Sequence, residues 1–188
     1  MHGAIFVITD GIELTGWELT QLLLERSTAT QLDQNIRTAF PNTRARQHLA
    51  PSVTLDSIAF TPYVGVNMLH VKSTTGQHQQ AIQFMGVQFV PAQADGTATV
   101  VASDDGRDYY FKPIVLSAHM AKVRCSCLDF RFRFAAYNNT DQSLIGRAPP
   151  PYTRKTNRPP VNPNQVPGIC KHLIRVLDEL EADGVVTV

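Results

Sequence analysis

The chain is poor in the features that mark several large classes of protein. Three cysteines in 188 residues cannot all pair within one chain, so a disulfide-stapled secreted fold is not expected and reduced thiols are. No apolar run approaches the roughly 18 residues of a membrane-spanning helix, so no membrane partner is expected. Charged residues are only 18% against 43% apolar, the balance of a folded domain with a sizeable core. Neither G-x-x-x-x-G-K-[ST] nor H-E-x-x-H occurs, which removes the phosphate loop and the zinc-protease signature. The opening MHGAIFVITDGIEL has no basic leader region and no small-residue cleavage site, so no secretory signal is expected.

Net charge is close to zero, at +1, but unevenly placed. Ten basic residues lie between Lys122 and Arg175 (122, 124, 131, 133, 147, 154, 155, 158, 171 and 175), against two acids, Asp129 and Asp141. An acidic partner or a polyanion would be met there.

GAIFVI (residues 3–8) reads as a short strand. Asp10 and Glu13 resemble a capping box opening a helix that runs through Arg26, and a second helix is expected from Asp33 to Phe40 before Pro41 stops it. The period then changes. VGVNMLHVKS and QAIQFMGVQFVP read as strands around a hairpin loop, with Gly86 marking a bulge. TATVVAS and RDYYFKP flank Asp104-Asp105-Gly106, the strongest hairpin signal in the chain. From Ile114 to Tyr137 the pattern reads as extended strand. Cys125, Cys127, Asp129, Arg131 and Arg133 share one parity there, and Phe130, Phe132 and Phe134 take the other. Seven prolines between Pro149 and Pro167 predict an extended arm. After Gly168, the residues Ile169, Leu173, Val176, Leu177 and Leu180 form the apolar stripe of a helix ending near Asp183-Gly184. The fold class predicted is α+β: a mainly antiparallel β middle, N-terminal helices, a C-terminal helix, and a metal-stapled C-terminal third. Residues 1–121 form the α+β body; residues 122–188 form a metal-binding segment with the proline-rich arm at 148–168.

All three cysteines fall in two tight pairs: Cys125-Ser126-Cys127, then Cys170-Lys171-His172 after 42 intervening residues. Two thiols on one strand face, with a thiol and an imidazole at a helix mouth, make a Cys3His set that fills the four positions of a structural zinc. Arg124 and Lys171 are placed to offset its negative charge, and the helix N-terminus to favour the Cys170 thiolate. The same ligands could hold an iron–sulfur cluster, which is the alternative cofactor. The bland reading is three small buried hydrophobes and one exposed imidazole. His48, His70, His78 and His119 stand singly and read as ordinary surface or core histidines, and Asp104-Asp105 as a turn rather than a catalytic pair. No catalytic residue is identified, and no enzymatic activity is expected.

The order C-x-C … C-x-H, strand first and helix second, resembles the SWIM zinc finger, with Cys125, Cys127, Cys170 and His172 at its ligand positions. The longer string VRCSCLDFRFRFAAYNN … PPPYTRKTNRPPVNPNQVPGICKHL, within residues 122 to 177, is similar to a segment of tailed-bacteriophage structural proteins. That resemblance implies a virion location and a role in neck, tail or baseplate assembly, with other virion proteins or further copies of the chain as partners. Tyr152, Arg154, Lys155 and Arg158 in the proline-rich arm are then candidate partner-binding residues. A SWIM-like module that binds nucleic acid or a protein partner is the alternative, resting on Arg131, Arg133, Phe130, Phe132, Tyr137 and Tyr152 as basic residues interleaved with aromatics.

Overall fold

The computed structural model describes residues 5–8, 12–15, 27–39, 50–92, 96–150, 157 and 160–188. Within them the chain is α+β, with an antiparallel sheet-rich middle and a helix near the C-terminus.

The first expected strand is present as β1 (Ile5–Ile8), but it pairs with a second strand, β2 (Ile12–Thr15), in an antiparallel hairpin. This corrects the helix expected to open at Asp10: the β-branched ends of IELT and the tight return suit a ladder with IFVI better than a first helical turn. The rest of that expected helix, residues 16–26, lies outside the described residues. Helix α1 (Ala29–Ala39) starts earlier than expected. Thr28 caps it: the Gln31 N–H donates to Thr28 Oγ1, and the Thr28 N–H donates to Gln31 Oε1. This is a reciprocal capping box.

The central sheet runs β3 (Ser57–Tyr63), β4 (Met68–Thr75), β5 (His78–Met85) and β10 (Ala121–Cys125), in the spatial order β10-β5-β4-β3 and antiparallel throughout. Pro62 in β3 costs no ladder bond because β3 is an edge strand. On the inner face Leu69, Val71, Ile82, Phe84, Ala121 and Val123 are buried. At Gly86, in the left-handed region (φ 77°), the chain leaves this sheet for another rather than forming a bulge. The second sheet, β6 (Phe89–Val90), β8 (Asp108–Phe111) and β7 (Thr99–Ala102), contains the predicted hairpin. Gly106 supplies the positive φ of its turn, and Asp105 accepts from the Arg107 N–H and the Tyr109 hydroxyl.

Between β10 and the proline-rich segment the extended reading fails. Beyond β9 (Ile114–Val115) and β10 the chain forms two short helices, α2 (Leu128–Arg133) and α3 (Ala135–Thr140). Alternating Phe and Arg imitates a strand, but the same residues satisfy helical spacing. Phe130 and Phe134 are both buried four apart, while Phe132 faces outward at 43% exposure. Asp129 and Arg133 form an i,i+4 ion pair at 3.2 Å.

The C-terminal helix α4 (Lys171–Ala182) buries the predicted stripe, Leu173, Val176, Leu177 and Leu180, against β5 and β10. Gly184 (φ 69°) ends it, and β11 (Val186–Thr187) pairs in parallel with β9. The proline-rich segment is anchored at its return by two buried asparagines. Asn138 brackets Gly168, donating to its carbonyl and accepting from its N–H. Asn162 donates to the carbonyls of Arg133 and Val166 and accepts from the Val166 N–H. Asn35 of α1 adds a bond to the Pro167 carbonyl. Among the described residues no helix is long and apolar enough to cross a membrane.

Candidate metal centre

Three elements bring the four predicted ligands together. Cys125 is the last residue of β10, on the core-facing parity of that strand. Cys127 is the N-cap of α2, where its sulfur accepts the Phe130 N–H at 3.3 Å. Cys170 is the N-cap of α4, and His172 lies in the first turn of that helix. The two thiols of the C-x-C pair therefore converge through a strand end and a helix start, not through one continuous strand face. All three cysteines are free and buried.

The four donor atoms lie within 4.8 Å of one another. His172 Nδ1 is 3.8 Å from Cys125 Sγ and 3.9 Å from Cys170 Sγ. Tetrahedral zinc, with bonds of about 2.3 Å to sulfur and about 2.0 Å to nitrogen, sets its ligand atoms roughly 3.5 to 3.8 Å apart. The cluster is thus about one ion wide, and small inward shifts would close it. The donor set fits a metal ion and is consistent with zinc.

The electrostatics point the same way. The Cys127 thiol is held well below its usual range, chiefly by hydrogen bonds from Cys125 and then Cys170. Its neighbours move oppositely: Cys125 is pushed up to about 12, first by its hydrogen bond to Cys127, and Cys170 is raised chiefly by burial. Burial and the thiol–thiol hydrogen bonds thus oppose ionisation of all three cysteines together. A divalent ion supplies the charge that lets the remaining thiols ionise.

Two expectations about the surroundings are corrected. Arg124 does not offset the thiolates: it lies on the opposite face of β10, and its guanidinium donates to the carbonyls of Ile145 and Arg147. Nor is Cys170 the thiol favoured by a helix start. Burial raises it, and the thiol held low is Cys127, chiefly through hydrogen bonds from Cys125 and then Cys170.

Sequence reasoning missed the outer contacts of the site. The His78 ring packs against His172 with centroids 4.7 Å apart, and Gln80 reaches Cys125 Sγ through its side-chain amide at 3.9 Å. The pairing of β5 with β10, which sets Gln80 opposite Cys125, is a long-range register that no local sequence signal marks. His119 is engaged elsewhere, accepting from the Val115 N–H. His48 and the arm residues Tyr152, Arg154, Lys155 and Arg158 lie outside the described residues. Of the basic–aromatic set, Phe130 is buried, Arg133 is paired with Asp129, and Arg131 lies over the exposed Phe132 ring, 5.5 Å from its centroid.

The site defines a class: a closed Cys3His cluster joining a strand end to two helix starts. No protein-family model, curated protein or solved structure matches the chain.

Proposed function

We propose that this chain is a non-enzymatic structural subunit of a tailed-bacteriophage particle, in its neck, tail or baseplate, and that Cys125, Cys127, Cys170 and His172 hold one structural zinc ion. The convergence of four N/S donors in a buried cluster carries the metal half of this reading. A catalytic zinc keeps a position open for water or substrate, whereas four protein ligands fill the tetrahedron. The ion closes the loop from Cys127 to Cys170, so its binding energy serves the fold. The assembly half is supported by the resemblance of residues 122 to 177 to phage structural proteins and by the stiff, basic composition of the arm, which suits contact with a neighbouring subunit.

Elemental analysis of protein purified without added metal, with an absorption spectrum, tests the metal half. One zinc per chain and no colour is the expected result. Iron with labile sulfide, absorbing broadly at about 300 to 500 nm, would replace the ion with a cluster, and absence of any metal would overturn the site. For the assembly half, an antibody to the chain should label the neck, tail or baseplate of intact particles. Its confinement to particle-free fractions would overturn that half.

Arg131 stacked over the exposed Phe132 favours a second reading, a SWIM-like module that binds single-stranded nucleic acid. Binding of a generic oligonucleotide that weakens steeply with salt, and weakens further in Phe132→Ala, would establish it.

A further inference from the structure

The inner face of the central sheet changes character along its length. Across β4 and β5 it is apolar at Leu69, Val71, Ile82 and Phe84, then becomes polar at Ser73, Thr75 and Gln80, which are buried too. Burying three polar side chains where aliphatic ones would pack is unfavourable unless their hydrogen bonds are complete. Here each of the three has a partner among the others. Ser73 Oγ donates to Gln80 Oε1 at 2.9 Å, and Gln80 Nε2 donates to Thr75 Oγ1 at 2.9 Å. The same Nε2, with a second proton to give, lies 3.9 Å from Cys125 Sγ. The polar row begins at the level where β10 presents Cys125, whose register partner is Gln80. The two hydroxyls hold the amide in place, and since each can donate or accept, it is the sulfur that sets its orientation: a flipped amide would turn its carbonyl oxygen against a thiolate.

We infer that Gln80 is a positioning residue of the metal centre: its amide, locked by Ser73 and Thr75, donates a hydrogen bond to the metal-bound thiolate of Cys125. This rests on the metal reading above. Two donors then converge on that sulfur, because the Cys127 N–H also reaches it at 3.5 Å. Donors of this kind withdraw charge from a three-thiolate site, and they orient a ligand that would otherwise rotate. They also make the body of the protein, through β4 and β5, part of a centre whose ligands all come from residues 125 to 172.

The test is titration of the full chain with zinc alone in competition with a chromogenic chelator, and with cobalt alone to record the sulfur-to-cobalt charge-transfer band. Gln80→Glu keeps the volume and the Ser73 bond but replaces the donor with a carboxylate. Gln80→Leu removes the polar group altogether. Both should bind zinc about 10- to 100-fold more weakly than the parent, the scale on which outer-sphere partners act, with Glu the worse, and both should shift the charge-transfer band. Thr75→Val keeps the donor but frees its orientation, and should fall between them and the parent. Parental affinity together with an unshifted band in the Gln80 variants would overturn the role of Gln80 while leaving the metal site intact. Failure of the parent chain to bind either ion would instead overturn the metal reading itself, and this role with it. Should either Gln80 variant fail to fold, the Thr75→Val band and affinity decide: values equal to the parent's would overturn the proposal.

Discussion

The central sheet and the stretch from Cys127 to Gly168 are held together by different physics. In the sheet, strands pair over long registers, and Leu69, Val71, Ile82 and Phe84 share a core with the α4 stripe. That cohesion is spread over many contacts, and no single atom is decisive. The stretch from Cys127 to Gly168 contains two short helices and a proline-rich run, and among its described residues the one strand-like pairing is the bridge of Leu144 to Val123. Beside the burial of Phe130, Phe134 and Leu144 in that core, it is fastened at points: the thiol–imidazole cluster, the Asn138 bracket on Gly168, and the Asn162 bonds to Arg133 and Val166. Distributed burial tolerates small losses, whereas point fastening fails by whole units.

Metal removal should expose that difference most strongly. Structural zinc contributes on the order of 10 kcal/mol to small zinc folds, and with zinc bound here chelation should release much of the C-terminal third at once. Hydrogen exchange is expected to show amides of 127–140 and of the first turn of α4 losing protection together, with β4 and β5 changing least. Cys170→Ser should reproduce the pattern. Uniform loss across sheet and loop would merge the two regions into one cooperative unit. Next in size, Leu173→Ala removes a fully buried side chain from the shared core and should cost about 2 to 5 kcal/mol in denaturant unfolding, lowering protection in sheet and helix alike. Asn138→Ala leaves the Gly168 N–H and carbonyl without their partners and should cost about 1 to 3 kcal/mol. Its effect on exchange should be confined to the proline-rich return, which would sharpen the contrast with Leu173→Ala.

The smallest effect concerns the sheet alone. The pKa of His70 lies below its ordinary 6.5, first because burial disfavours its charge and then because Lys72 repels it, with Asp104 opposing. The unfolded chain therefore binds more protons at this position, and stability falls as pH drops below about 6.5. His70→Gln should flatten the dependence of melting temperature on pH between about 5 and 7 by a fraction of the total, judged against 1.36 kcal/mol per pKa unit. An unchanged slope would assign that dependence to other groups.

The thiol–imidazole cluster was legible because chemistry restricts it: few residue types suit a soft ion, and every cysteine falls in one of two tight pairs. The α4 stripe was legible because a helix with one buried face must repeat its apolar positions. The run Phe130–Phe134 was not, since residues two apart and four apart both fit its alternation. Only the N-cap role of Cys127 and the Asp129–Arg133 pair separate the alternatives. Strand β3 escaped notice because Pro62 argues against a strand unless its edge position is known. The asparagine brackets could not be read at all. Asn138 and Asn162 act on backbone groups 30, 29 and 4 residues away, and nothing in local sequence marks a long-range backbone partner.

The placement of those brackets bears on how freely the chain length could change. Asn138 and Asn162 fasten the return of the proline-rich segment, and Arg124 holds its entry through the carbonyls of Ile145 and Arg147, so a change of length between Pro150 and Pro160 falls between two fastened ends. Doubling a pinned loop adds only about 0.6 kcal/mol of closure entropy. This segment is therefore the natural place to lengthen, shorten or graft a reporter sequence while the ligands keep their geometry.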